Sequence, residues 1–185
     1  SSLEVLKLNK VFNAKIGMKT SLSYLCILSI WPAFFFLIYV FIGNLFKARF
    51  GYTGAQVIEN NFYVALYNWC IVVSLILLTL KVHPLKILKV RGIISLIGIP
   101  ICLFLLSRVS TANELFKLQL LLVTTSVCLD PAAAVFYKHF PIFKRFRYSS
   151  FMHAISKIIV YITTSFGLVY LADINYYGTL VIMLP

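Results

Sequence analysis

LQLLLVTTSVCLDPAAAVFYKHFPIFKRFRYSS, Leu118 to Ser150, is the stretch that decides how this chain is read. Its first part, Leu118 to Tyr137, carries a single charge, Asp130. It then breaks into Lys138, Lys144, Arg145 and Arg147 around Phe140-Pro141, and a second long apolar run follows. A run of about 20 apolar residues is long enough to cross a bilayer as a helix. A basic turn between two such runs marks a cytoplasmic hairpin. A carboxylate near the middle of a membrane-length run is costly and points to a task such as a solute or ion pathway.

Composition extends this reading to the whole chain. Of its 185 residues 61% are hydrophobic and 12% charged, against roughly 25% charged in ordinary soluble domains. That balance excludes a water-soluble domain and predicts an all-α polytopic membrane protein in the lipid bilayer. The formal charge of +12 invites a nucleic-acid partner. The basic residues, however, sit in short clusters between apolar runs, which fits the positive-inside pattern and no nucleic acid. Cys26, Cys70, Cys102 and Cys128 are scattered through apolar runs with no ligand spacing, so neither metal nor disulfide is expected. No nucleophile triad, paired-carboxylate site or phosphate-binding glycine loop is present, so the reading is not an enzyme and needs no cofactor. No signal peptide is read, because the first apolar run is too long and follows a polar, basic lead-in.

In order, residues 1–19 form that cytoplasmic lead-in, and residues 20–185 a transmembrane helical half-domain. Helices are expected at about 20–46, 60–80, 90–107, 118–137 and 148–171, with Asp173 in a turn and a partial sixth at 174–185. Pro32 lies inside the first and predicts a kink. Lys89 and Arg91 are expected to snorkel from the start of the third. Basic residues between successive runs number four, two, four, two, four and none from the N-terminus on. The alternation places the N-terminus and the 81–91 and 138–147 segments on the cytoplasmic side of a multi-pass plasma (inner) membrane protein.

Asp130 lies about 10 Å and Lys157 about 13 Å from the cytoplasmic ends of adjacent antiparallel helices. At matched depth they are expected to pair, either as a substrate- or proton-linked couple or as a structural salt bridge. A third option makes Asp130 a local cap at a break before Pro131. Tyr24, Trp31, Phe35 and Tyr39 fall along one helix face. Such a wall suits an amine or quaternary ammonium by cation–π attraction, or serves ordinary packing. Asn68 is read as an interhelical hydrogen bond or a pathway residue. His83 and His139 are read as exposed loop residues, and His153 as packing or part of a proton relay.

FGYTGAQVIENNFY leads from the first helix into the second, a basic loop and two more helices follow, and then come Phe140-Pro141 and an Arg-Tyr-Ser. This arrangement resembles the C-terminal half of the major facilitator superfamily, and more narrowly the metabolite:proton symporters of the proline/betaine transporter type. In that group a cytoplasmic loop reads Phe-Pro, three residues, then Arg-Tyr-Ser. Here Arg145-Phe146 stands three residues after Phe140-Pro141, and Arg147-Tyr148-Ser149 follows two residues late. The resemblance implies that the five helices match helices seven to eleven and the last run part of twelve. It also implies that Tyr24, Trp31 and Asp130 face a central cavity. The segment LKVHPLKILKVRG lacks the Asp of the family's loop motif, and HAISKIIVYITTSFG carries Lys157 where the family has small residues.

Two functions follow. One is half of a proton-coupled secondary transporter for small osmolytes or metabolites. It would be inactive alone, because a midplane site needs two walls, and its partners would be a missing N-terminal half, a second membrane subunit or another copy. The other is a non-transport membrane subunit or degenerate remnant that only packs against a partner.

Overall fold

The computed structural model describes residues 16–138, 140–142 and 144–174. The lead-in to residue 15, His139, Phe143 and the terminal run from residue 175 lie outside the described residues. All regular structure among the described residues is helical.

Helix α1 (Met18–Phe35), a π-helical turn (Phe36–Phe41) and helix α2 (Ile42–Phe50) follow one another without interruption, giving a rod of 33 residues. The rod is longer at both ends than the 20–46 expected. It ends at Gly51, whose φ of 66° suits a residue without Cβ. Helix α3 (Gly54–Leu78) starts six residues before the expected 60. Its start is set by a capping box, in which the Thr53 hydroxyl accepts from the Gln56 N–H and Gln56 Oε1 accepts from the Thr53 N–H. Helix α4 (Pro84–Leu106) begins with Pro84 in its first turn and His83 as its cap. Helix α5 (Ala112–Thr125) again starts early, at a second capping box between Thr111 and Glu114.

The expected helix at 118–137 is not continuous. α5 stops at Thr125, Ser126 is extended at ψ 147°, and a short 3-10 turn (Asp130–Ala132) precedes the five-residue helix α6 (Ala133–Tyr137). The side-chain hydroxyls of Thr124, Thr125 and Ser126 bond back to the carbonyls of Leu120, Leu122 and Val123. Such bonds compete with the helix ladder. Pro131 has no N–H to continue it and disfavours a helical residue before it. Helix α7 (Arg145–Ile174) starts slightly before the expected 148 and runs through Asp173, where a turn was expected.

Among the described residues three helical stretches are long and apolar enough to cross a membrane: Met18–Phe50, Gly54–Leu78 and Pro84–Leu106. The five expected spans are not shown. α5 has 14 residues, about 21 Å at 1.5 Å per residue, short of a bilayer core. α7, of 30 residues, has the length to cross.

Two cores hang on the long rod. The larger gathers Phe34, Leu37, Ile38, Ile42 and Phe46 against buried residues of α3, α4 and α5, such as Val64, Ile99, Leu106 and Leu122. At the π-helical turn the Ile38 carbonyl accepts from Gln119 Nε2 at 2.7 Å, Gln119 Nε2 also donates to Asn61 Oδ1, and Asn61 Nδ2 donates to the Tyr39 carbonyl. A π turn leaves carbonyls that side chains can take up. The smaller core joins Tyr24 and Leu28 of α1 to Phe140, with Phe136, Tyr148 and Met152 around them. The first half of the rod pairs with α7 through Ser21–Tyr148, Tyr24–Ser149 and Ser29–Ser156 hydroxyl contacts.

Candidate functional site

Where α5 unwinds, its last carbonyls lose their helical donors. Arg91, on α4, supplies them. Nη1 donates to the Thr124 carbonyl at 2.5 Å and Nη2 to the Ser126 carbonyl, while Nε has no partner. Arg91 is only 8% exposed, so it does not snorkel as expected. The planar fork of a guanidinium fits two neighbouring carbonyls, and its charge sits at the negative end of the α5 dipole. α4 can bring Arg91 so close because Gly98, two turns on, lies against Thr125. A Cβ there would be 2.5 Å from Thr125 Cγ2.

The unwound segment also forms one wall of a cavity of about 450 Å³. Cys128, Leu129 and Asp130 stand on that side, Trp31, Pro32 and Phe35 of α1 on another, and His153, Lys157 and Tyr161 of α7 on the third. The Cys128 thiol donates to Asp130 Oδ2 at 3.3 Å. The cavity borders the smaller core through Leu28 and Leu129, beside Pro32 inside α1.

Of the residues the sequence singled out, the structure brings Asp130, Lys157 and Trp31 together on this cavity, with His153 beside them. Asp130 and Lys157 are both exposed, and no ion pair joins them among the described residues. A shared opening takes the place of the expected salt bridge. With the charged ends in an open space, neither group has to pair to escape a dry interior.

The aromatic face is divided. Trp31 and Phe35 reach the cavity and Phe35 stacks on Tyr39 at 5.0 Å. Tyr24 is 1% exposed and lies edge-on to Phe140 at 5.1 Å, inside the smaller core. Asn68 is half-buried and makes no hydrogen bond among the described residues. The interhelical amide on α3 is Asn61, two turns earlier, and its partner Gln119 is fully buried.

The loop motif does structural work. Phe140 is buried against Tyr24 and Tyr148, and Arg145 Nη2 donates to its carbonyl at 3.3 Å. Tyr148 and Ser149 tie α7 to Ser21 and Tyr24 of α1, whereas Pro141 is half-buried and Arg147 exposed.

Sequence reasoning missed Arg91, Asn61 and Gln119 as organising groups. The available signal was polarity inside apolar runs: an Arg seven residues before a Gly on one helix face, and an amide in each of two neighbouring helices. Neither a protein-family model, nor a curated protein, nor a solved structure matches the chain.

Proposed function

We propose that the chain is a multi-pass membrane protein that forms one wall of a secondary transporter for small polar solutes. The observation that carries this reading is the cavity at the α5 break, where Asp130, Lys157, His153 and Trp31 meet unwound backbone. Interrupted helices with charged groups at a polar opening recur at solute sites of secondary carriers. The reading includes the resemblance to the C-terminal half of a major-facilitator carrier of the proline/betaine type, with an inner-membrane location and a cytoplasmic N-terminus.

A carrier site of this kind needs a second wall to close it from each side in turn. The partner is therefore a companion six-helix half or another copy, and the chain alone does not accumulate solute. The test is uptake of labelled proline or betaine into liposomes under a proton gradient, with and without a companion half. Uptake that appears only with the companion and is lost in Asp130→Asn supports the proposal. Uptake by the chain alone, unaffected by Asp130→Asn and Lys157→Gln, overturns it.

A second reading, a subunit that only packs against a partner, is favoured by α3. Ile58, Phe62, Leu66 and Trp69 are all more than half exposed or close to it along this helix. A companion that co-purifies through α3 while Asp130→Asn leaves every activity unchanged would support it.

A further inference from the structure

We propose that Lys138 and the first turns of α7, with the two grooves beside them, hold the headgroup of an anionic phospholipid. The inference rests on the membrane reading above but not on transport.

Charge comes first. Lys138, Lys144, Arg145 and Arg147 lie within ten residues, and no Asp or Glu occurs between Asp130 and Asp173. The end of α1 that packs here through the Ser21–Tyr148 bond adds Lys19, also exposed. A basic cluster of this size next to an apolar helix attracts anionic headgroups.

Shape comes second. Two grooves flank the start of α7. One, of about 490 Å³, places Arg145, Ser149, Ser150 and His153 beside Ile142 and Phe146. Arg145, Ser149 and His153 follow at four-residue spacing, so they share a helix face. Arg145 Nε is buried without a hydrogen-bond partner, behind the face that lines this groove. The other groove, of about 420 Å³, is lined by Lys144, Arg147, Tyr148 and Phe151. Each groove thus joins cationic or hydroxyl donors to an apolar wall. A phosphodiester with acyl chains has the same two parts.

The third observation is the exposure of the apolar side chains. Phe146 is 85%, Ile142 68% and Phe151 59% exposed. Large apolar groups interleaved with cations at the end of a long helix suit the interface between headgroups and acyl chains. A free phosphate would use the donors and leave these side chains in water.

The experiment follows thermal unfolding of the full chain in maltoside micelles through its tryptophan fluorescence. Dioctanoyl phosphatidylglycerol, dioctanoyl phosphatidylcholine or sodium phosphate is titrated in. A saturable rise in Tm with phosphatidylglycerol alone is expected. Arg147→Gln raises the half-saturating concentration about fivefold, Lys138→Gln with Arg147→Gln raises it further, and Arg147→Lys leaves it near the native value. Arg147 and Lys138 are exposed, so these variants keep the packing that Arg145 supports. An equal rise with phosphatidylcholine, or a double variant that saturates like the native chain, overturns the proposal. An equal rise with sodium phosphate also overturns it and makes the site one for a free anion. Carbonate extraction from phosphatidylcholine vesicles is run in parallel. A chain that stays in the vesicles but shows no headgroup preference refutes this site alone, whereas a chain that is extracted refutes the membrane reading.

Discussion

The guanidinium of Arg91 and the main-chain carbonyl of Ser126 are joined by a buried hydrogen bond across α4 and the end of α5. With the companion bond to Thr124, it lets a helix end inside the bundle without leaving its carbonyls bare. The position of Asp130, four residues further on, depends on where that helix ends.

Replacing Arg91 by Met should therefore cost about 3–6 kcal/mol, the loss of two hydrogen bonds to a charged donor. Arg91→Lys, which keeps the charge but not the fork, should fall between. Denaturant unfolding in micelles reads both. If both variants match the native protein, the guanidinium does not hold the break.

Gly98→Ala places a methyl against Thr125, and overpacking of this kind costs about 1–3 kcal/mol. Adding Thr125→Ala should restore part of the loss, because it removes Cγ2 but leaves Thr125's Cβ, 2.8 Å from the new atom. Equal stability of the single and double variants would show that the helices separate without strain.

Glu114 stands at the exposed start of α5. The Ser110 N–H and then the Thr111 N–H, with the Ser110 hydroxyl, hold its carboxyl below the usual carboxylate range. A depressed folded-state value means that this cap stabilises the fold fully above the unfolded value of roughly 4.3. The contribution fades as pH falls through the folded-state value. Glu114→Gln should flatten the stability profile in that acidic window and leave its shape near pH 7 unchanged. A profile identical to the native one removes Glu114 from the account.

With Trp69→Phe, fluorescence comes from Trp31 alone, since the chain has two tryptophans. If the cavity holds water, iodide should quench Trp31 in vesicles. Lys157→Gln should then weaken quenching by iodide more than by neutral acrylamide, because Lys157 shares the cavity wall. Quenching by brominated acyl chains but not by iodide would mean that Trp31 faces lipid.

The helical class and the apolar runs were legible because long stretches without charge have few other outcomes. The starts of α3 and α5 were misplaced because charge and apolarity were followed instead of caps. Thr53-Gly54-Ala55-Gln56 and Thr111-Ala112-Asn113-Glu114 both carry the threonine-to-amide-or-acid spacing that begins a helix. The meeting of Asp130 with Lys157 was legible from depth, since both helices are counted from one turn. Their failure to pair was not, because it depends on side-chain direction and on an opening made by three elements. Asn61 was passed over for Asn68 because centrality in a run says nothing about which face of the helix meets a neighbour.

The bonds between the first half of the long rod and α7 set an order of assembly. Ser29 and Ser156 are 127 residues apart, and Ser21 and Tyr148 equally so. At ribosomal rates of roughly 5–20 residues per second, the hydroxyls of Ser21, Tyr24 and Ser29 wait on the order of 6–25 s for their partners to be made. The larger core needs nothing beyond Val123 and can close in that interval. Until α7 is made, the first half of the rod therefore stands without the partners that cover it in the finished fold.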